Sequence, residues 1–306
     1  MPYIVEVDWA PIYELTTSLD TYAAFRRMAK TLELPADWSE AIRARGGERL
    51  ARALSDGDLS LGGAELLVWQ CPGERTTEAV LAWIEGLSLD ELTDRLLRYT
   101  PDEWRRQLRN LGELRERWLR AVRLWDEIYF RSLDPEICRG LAADAAEKRK
   151  LIKQLAPEDL IELATAGVRF DPTAEQQRVV LVPQFHMRPW NTYQPYRDII
   201  FYHYPVDALL PAPGEVPPAV ARLVRALADT NRLQILRYLA AGTRGFKDIV
   251  QFTGLAKSTV HHHMVALRAA GLVRVHPRSA TIDHYSLRPD ALDRLGSRLV
   301  SFIKGD

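Results

Sequence analysis

Residues 209–218 read LLPAPGEVPP, four prolines and a glycine in ten positions. Proline fixes φ and lacks the backbone donor that a helix interior or central strand requires, so such a run forms a stiff, exposed connection. A chain of 306 residues has room for two or three domains. The run places the division: a front domain over 1–210, a linker at 211–217 and a second domain over 218–306. The two parts differ in charge. Lys plus Arg and Asp plus Glu number 41 each overall, but residues 217–306 hold 14 basic against 6 acidic side chains, a balance of +8 that leaves −8 before them. A basic end on an acidic body directs that end toward a polyanion.

The front domain reads as helical with a small β component. Residues 2–9 alternate apolar and polar positions like a half-buried strand. From about Ser18 to Gly167 the spacing is helical, and the punctuation marks individual starts. SLDE at 88–91 forms a capping box with Ser88 as N-cap and Glu91 three residues on. TPDE at 100–103 repeats it, with Pro101 at the first helical position. Asp134-Pro135 and Ala156-Pro157 open two more helices. Apolar residues from Trp104 to Ile128 at three-to-four spacing predict one long amphipathic helix over 101–131, its other face a solvated alternation of Arg and Glu. RVVLVPQFHMRPW and RDIIFYHYP are β-branched and aromatic runs separated by NTYQPY. They predict a β-hairpin near 178–204, able to share a sheet with the N-terminal strand.

Beyond the linker the elements shorten. Helices are predicted at about 218–228, 230–241, 246–253 and 257–270, strands at 272–276 and 282–287 joined by PRSAT, and a last helix over 290–304. The helices joined through Thr253-Gly254-Leu255 have helix-turn-helix proportions, and the strand pair beside them is a wing. Leu255, Val260, Met264 and Leu267 share the predicted core face, and Gly271 ends their helix. ALADTNRLQILRYLA followed by FKDIVQFTGLAKSTVHHHMVALRAAGLV resembles the second helix and recognition unit of ArsR-type winged-helix repressors, and about 90 residues share that resemblance. Through LVPQFHMRPW the front region resembles the long N-terminal domain, of unknown function, of large ArsR-type regulators. The resemblance implies a predominantly helical α+β chain: an N-terminal helical domain with a small sheet or hairpin, then a winged helix-turn-helix that binds double-stranded DNA.

In a helix-turn-helix the N-terminal half of the second helix enters the major groove. That half presents Lys257, Ser258, Thr259, His261 and His262, with Arg268 further along the same exposed side. Ser258 suits a phosphate oxygen; Thr259, His261 and His262 suit base edges or phosphates. Arg274, His276, Arg278 and Arg288 place charge on and beside the wing, for salt-dependent backbone contact. The run His261-His262-His263 is a poor metal site, because consecutive helical residues point about 100° apart and do not converge as i and i+4 do. The resemblance implies that His263 packs or bonds locally. ArsR-type metal sensors carry a cysteine motif on the helix before the recognition helix, or Asp/His clusters on the last. FKDIVQFTG has no cysteine and ALDRLGSRLVSFIK offers only Asp293, so neither metal nor cofactor is expected. The remaining pair, His186 and His203, would face one another across the hairpin, where packing is the commoner role.

PQFHMRPWNTYQPYR is the densest polar–aromatic cluster of the front domain, and Arg188, Trp190, Tyr193 and Arg197 are its candidates for a small-molecule effector pocket. A structural corner or a dimer surface is the competing reading. No nucleophile elbow, phosphate loop, dinucleotide fingerprint or zinc-protease motif occurs, so no enzyme is expected. No stretch approaches the ~18 uncharged apolar residues of a membrane span. An N-terminus with early acids and no leader pattern, and two cysteines (Cys71, Cys138) outside any C-x-x-C spacing, point to a cytoplasmic chain. The expected protein is a transcriptional regulator, a repressor binding a near-palindromic operator as a homodimer. The resemblance implies pairing through the first and last helices of the winged module, for which Leu223, Val224, Leu227, Leu292, Leu295, Leu299, Val300 and Ile303 are candidates. The alternative is a winged-helix protein-interaction module on a ligand-binding or enzymatic front domain.

Overall fold

The computed structural model describes residues 3–55, 61, 63–102, 105, 110–170, 177–207, 215–278 and 281–304. Two compact units partition the chain, 1–149 with 174–206 and 150–173 with 207–306. The expected division at 211–217 is therefore incomplete: residues 150–173 go with the C-terminal unit. Most of the expected linker, up to residue 214, lies outside the described residues.

The first unit opens with strand β1 (Ile4–Val7) and continues through helices α1 (Pro11–Met28), α2 (Trp38–Ser55), α3 (Ala64–Gln70), α4 (Thr77–Gly86), α5 (Leu89–Leu97), α6 (Leu111–Ile128) and α7 (Pro135–Leu151). Strands β2 (Arg178–Gln184), β3 (Thr192–Pro195) and β4 (Ile199–Pro205) complete it. Helix α1 contributes Ile12, Tyr13, Leu15 and Leu19 to the core. Trp125 of α6 is fully buried and donates its indole N–H to Ser18 Oγ at 2.8 Å. That bond satisfies the polar atom of a side chain whose burial contributes roughly 2–3 kcal/mol.

The sheet order is β1-β2-β4-β3. β1 pairs with β2 and β2 with β4 in parallel, while β3 pairs with β4 antiparallel, with Val182 opposite His203 and Tyr193 opposite Tyr202. The hairpin expected near 178–204 is corrected to this smaller β3–β4 pair. β2 shows why. Val179 to Gln184 are all buried, a run without alternation, as in an interior parallel strand covered on both faces. Parallel neighbours need a crossover longer than a tight turn, and residues 185–198 supply it.

The helix starts follow their caps. Ser88 Oγ accepts from the Glu91 N–H at 3.2 Å, and Glu91 Oε2 accepts from the Ser88 N–H at 2.9 Å. The long helix expected over 101–131 is shorter, because Asn110 stands outside helical backbone at φ −120°, ψ 42° and α6 begins after it. Thr100 donates backward to the Leu96 carbonyl at 2.8 Å, and Glu103, its expected capping partner, lies outside the described residues.

The second unit contains α8 (Pro157–Thr165), α9 (Pro218–Leu227), α10 (Thr230–Ala240), β5 (Arg244–Gly245), α11 (Phe246–Thr253), α12 (Lys257–Ala269), β6 (Val273–Arg278), β7 (Thr281–Leu287) and α13 (Pro289–Lys304). From α9 onward the helices and strands β6 and β7 lie within two residues of the bounds read from the sequence, and β5 is an additional strand that the sequence reading lacked. Asp229 Oδ1 caps α10 by accepting from the Arg232 N–H at 3.0 Å. Gly254, at φ 67°, ends α11 and makes the turn into α12. Val260, Met264 and Leu267 of α12 join Ile235, Leu239, Ile249 and Tyr285 in the core, while Leu255 is only half-buried. The antiparallel sheet β5-β7-β6 is the wing.

Helix α8 belongs to this unit for a packing reason. Leu160, Ile161 and Ala164 are buried. Past its left-handed C-cap Ala166, Val168 forms a parallel bridge with Val275 on the open edge of β6. The Arg169 N–H donates to the Val275 carbonyl at 2.9 Å, and the Val275 N–H to the Gly167 carbonyl at 2.8 Å. Gly167 has φ 131°, and a Cβ there would lie 2.5 Å from the Val273 carbonyl oxygen, so only glycine permits this approach. The docked segment pairs an edge that would otherwise offer unpaired backbone.

Candidate nucleic-acid interface

The outer face of α12 carries Lys257, Ser258, Thr259, His261 and His262, all exposed. Capping and packing explain why they face outward: Gly254 sets the entry of the helix, and Val260, Met264 and Leu267 occupy its buried stripe. The polar atoms of these five side chains make no hydrogen bond among the described residues. The His261 and His262 rings lie edge to face with centroids 6.1 Å apart, while His263 turns inward, buried, its Nδ1 3.9 Å from Asp229 Oδ2. Five hydrogen-bonding groups on one exposed helical face suit base edges and phosphate oxygens.

Arg268 departs from the expected exposed face. It is half-buried near Tyr285 of β7, and burial pulls its guanidinium below the usual arginine range. The wing strand covers the end of the helix that periodicity alone leaves open. His276 Nε2 and Ser286 Oγ are 2.9 Å apart across the wing. Arg278 ends β6, with its side chain outside the described residues.

Arg274 meets a residue that the sequence did not single out. Its Nε donates to Glu162 Oε1 of α8 at 2.7 Å. Arg288 Nε stands 3.5 Å from the same oxygen, and Arg169 Nη1 donates to Glu162 Oε2 at 3.2 Å and to Asp159 Oδ1 at 2.7 Å. The Glu162 side chain is 7% exposed. One buried carboxylate thus gathers three guanidiniums beside the wing. In the sequence Glu162 is one acid among many on helices, 112 residues from Arg274, and no spacing marks it.

The front-domain candidates have separate internal partners. Arg188 is buried, its Nε donating to the Phe185 carbonyl at 3.1 Å and its guanidinium 3.8 Å from the Phe185 ring centroid. Trp190 Nε1 donates to the Thr31 carbonyl at 3.2 Å, Tyr193 packs against Tyr202, and Arg197 donates to Asp102 Oδ1 at 2.7 Å. His186 and His203 are not opposite one another, since His203 pairs with Val182 and Thr192. His186 is fully buried, with Nδ1 against Glu14 Oε1 and Nε2 2.5 Å from the Tyr129 hydroxyl. Glu14 also accepts the backbone N–H groups of Phe185 and His186 at 3.0 and 3.1 Å. Burial pushes the Tyr129 hydroxyl up to about 12, which keeps it a donor, while it accepts from Trp38 Nε1 at 3.0 Å. LVPQFHMRPW is thereby pinned to α1 and to Tyr129, the residue that caps the end of α6. Among the described residues no three His, Cys, Asp or Glu side chains converge as a metal-binding group, and no helix is long and apolar enough to cross a membrane.

Residues 229–275 match the bacterial regulatory protein, arsR family. Over 76 residues the chain is 38% identical to the HTH-type transcriptional regulator Rv0324 of Mycobacterium tuberculosis (strain ATCC 25618 / H37Rv), a match that spans 25% of this chain and 33% of that relative. Two solved structures from Mycobacterium bovis are similar. One is a crystal structure of a possible transcriptional regulatory protein (fragment 1–100), 34% identical, covering 29% of this chain and 92% of that one with a TM-score of 0.23. The other is a solution structure of the homodimeric winged helix-turn-helix DNA-binding domain (fragment 1–100) Mb0332, a possible ArsR-family transcriptional regulator, 35% identical, covering 27% and 76% with a TM-score of 0.23. Residues 229–275 are an ArsR-family helix-turn-helix domain, carried on a chain much longer than that domain.

Proposed function

We propose that this chain is a DNA-binding transcriptional repressor of the ArsR type that reads a near-palindromic operator as a homodimer. The observation that carries the reading is the outer face of α12, where Lys257, Ser258, Thr259, His261 and His262 stand exposed with unengaged polar atoms. The +8 balance of residues 217–306 supports it, since a basic module on an acidic body is drawn to phosphate. So does the similarity to a chain described as a transcriptional regulator. The front unit serves dimerisation or the sensing of a small molecule, and any effector acts by binding one DNA-competent or DNA-incompetent arrangement better than the other.

The test is a salt titration of DNA binding by the full chain, using the DNA upstream of its own gene and a scrambled control. Selective binding that weakens steeply with salt is expected. Replacing Thr259 and His262 together by Ala is expected to cut the operator-to-control affinity ratio about tenfold while the thermal melt stays unchanged. Equal affinity of the wild-type chain for both DNAs would refute sequence-selective regulation.

A further inference from the structure

Glu162 lies in α8, outside the family-matched segment 229–275, and its carboxylate is held from several sides. Arg169, already paired with Asp159, takes Oε2. Arg288, whose side chain is 12% exposed, stands by Oε1 and donates from Nη1 to the Gly271 carbonyl at 3.4 Å. These contacts neutralise and fix a buried acceptor that would otherwise be costly. Arg274 is differently placed. It engages Oε1 through Nε alone, at 2.7 Å, and keeps 32% of its side chain exposed. An arginine held at Nε still has its two terminal nitrogens in a fixed planar fork, the geometry that takes a phosphate bidentately.

The backbone keeps the carboxylate at that spot. The Gly167–Val275 and Val275–Arg169 hydrogen bonds tie the end of α8 to β6 on either side of the bridge. Gly271, directly after the recognition helix, packs so closely that a Cβ there would lie 3.3 Å from the Ala166 carbonyl oxygen. The anchor is thus seated at the junction between recognition helix and wing.

We propose that Glu162 is a positioning residue that aims the fork of Arg274 at a DNA backbone phosphate beside the wing. The proposal rests on the DNA-binding reading above. It extends the interface to α8, which stands in the sequence between two stretches of the first unit. A carboxylate that merely competed with DNA for Arg274 would have the opposite effect, so the sign of the response decides.

The experiment measures the dependence of log affinity on log salt for the full chain and its variants on the upstream DNA. Arg274→Ala is expected to reduce the slope by about one, the loss of one phosphate contact. Arg274→Lys is expected to lose as much, because its single ammonium cannot hold Glu162 and a phosphate with separate nitrogens. Glu162→Ala is expected to match them and to add nothing in the Arg274→Ala background, whereas Glu162→Gln, which keeps an acceptor for Nε, retains the wild-type slope. Tighter binding or a steeper slope in Glu162→Ala would overturn the proposal, because Glu162 would then be withholding Arg274. A wild-type slope in Arg274→Lys overturns it even where Glu162→Ala fails to fold. A wild-type chain with no salt-dependent binding at all removes the DNA-binding reading itself, and this proposal with it.

Discussion

Two histidines of the first unit show how one residue type takes opposite roles. His186 is bonded at both ring nitrogens, to Glu14 and Tyr129. His203 of β4 packs edge-on to Tyr13 at 6.1 Å, and its buried Nδ1 has no hydrogen-bond partner among the described residues. Burial lowers the His203 imidazole to about 4, so it is neutral in the folded chain and protonates near 6.5 once unfolded. The unfolded state then binds the extra proton between those values. Stability from this group is whole above about pH 6.5 and lost as pH falls toward 4, about 3 kcal/mol in all and about 2 kcal/mol between pH 7 and 5. Urea unfolding of the wild type and of His203→Gln at both pH values checks this: the variant is expected to lose about 2 kcal/mol less on acidification. Equal losses would mean that His203 is protonated as readily in the fold as out of it.

Elements were legible where their determinants are local. The Ser88–Glu91 box, the prolines opening α7 and α8, and Gly254 between α11 and α12 each act within a few residues, and each is in place. The pairing of β2 was not, because an unbroken apolar run marks a strand covered on both faces and does not say which distant strands lie beside it. The docking of α8 is testable at Gly167. Gly167→Ala puts a Cβ against the Val273 carbonyl at a strained φ, a conflict worth about 2 kcal/mol that the chain relieves by releasing the bridge. The Val275 amide, which donates to Gly167, is expected to exchange with solvent at least tenfold faster, while the Val260 amide, bonded to Ala256 at the start of α12, keeps its protection. Unchanged exchange at Val275 would mean that the bridge does not need glycine.

At the scale of the whole molecule, the chain passes between its two units three times, after residues 149, 173 and 206. The candidate dimer surface is sorted by burial. Leu223 is a core residue at 2% exposure, Leu227 and Leu299 are half-buried, and the Leu295 side chain lies outside the described residues. Val224 of α9, with Leu292, Val300 and Ile303 of α13, stands exposed, Ile303 at 76%. Large apolar side chains on two neighbouring helices are what a self-complementary interface would cover. Ile303→Glu is expected to weaken self-association at least tenfold in sedimentation equilibrium and to lower operator affinity with it. A variant as dimeric as the wild type would place the dimer contact elsewhere.

The sequence by itself determined the helix-turn-helix, its wing, the outward face of α12 and most helix starts, because periodicity and caps act over three or four residues and need no distant partner. Only the tertiary structure decided that β1, β2 and β4 run parallel, that Arg268 is covered by the wing, and that α8 and the residues up to Arg169 dock at the junction of recognition helix and wing. Those outcomes depend on which surfaces meet beyond the reach of a helical turn, from the 21 residues between Val179 and Ile200 to the 112 between Glu162 and Arg274. No local pattern encodes that meeting. It arises when buried faces pair off and the chain between them closes the loop.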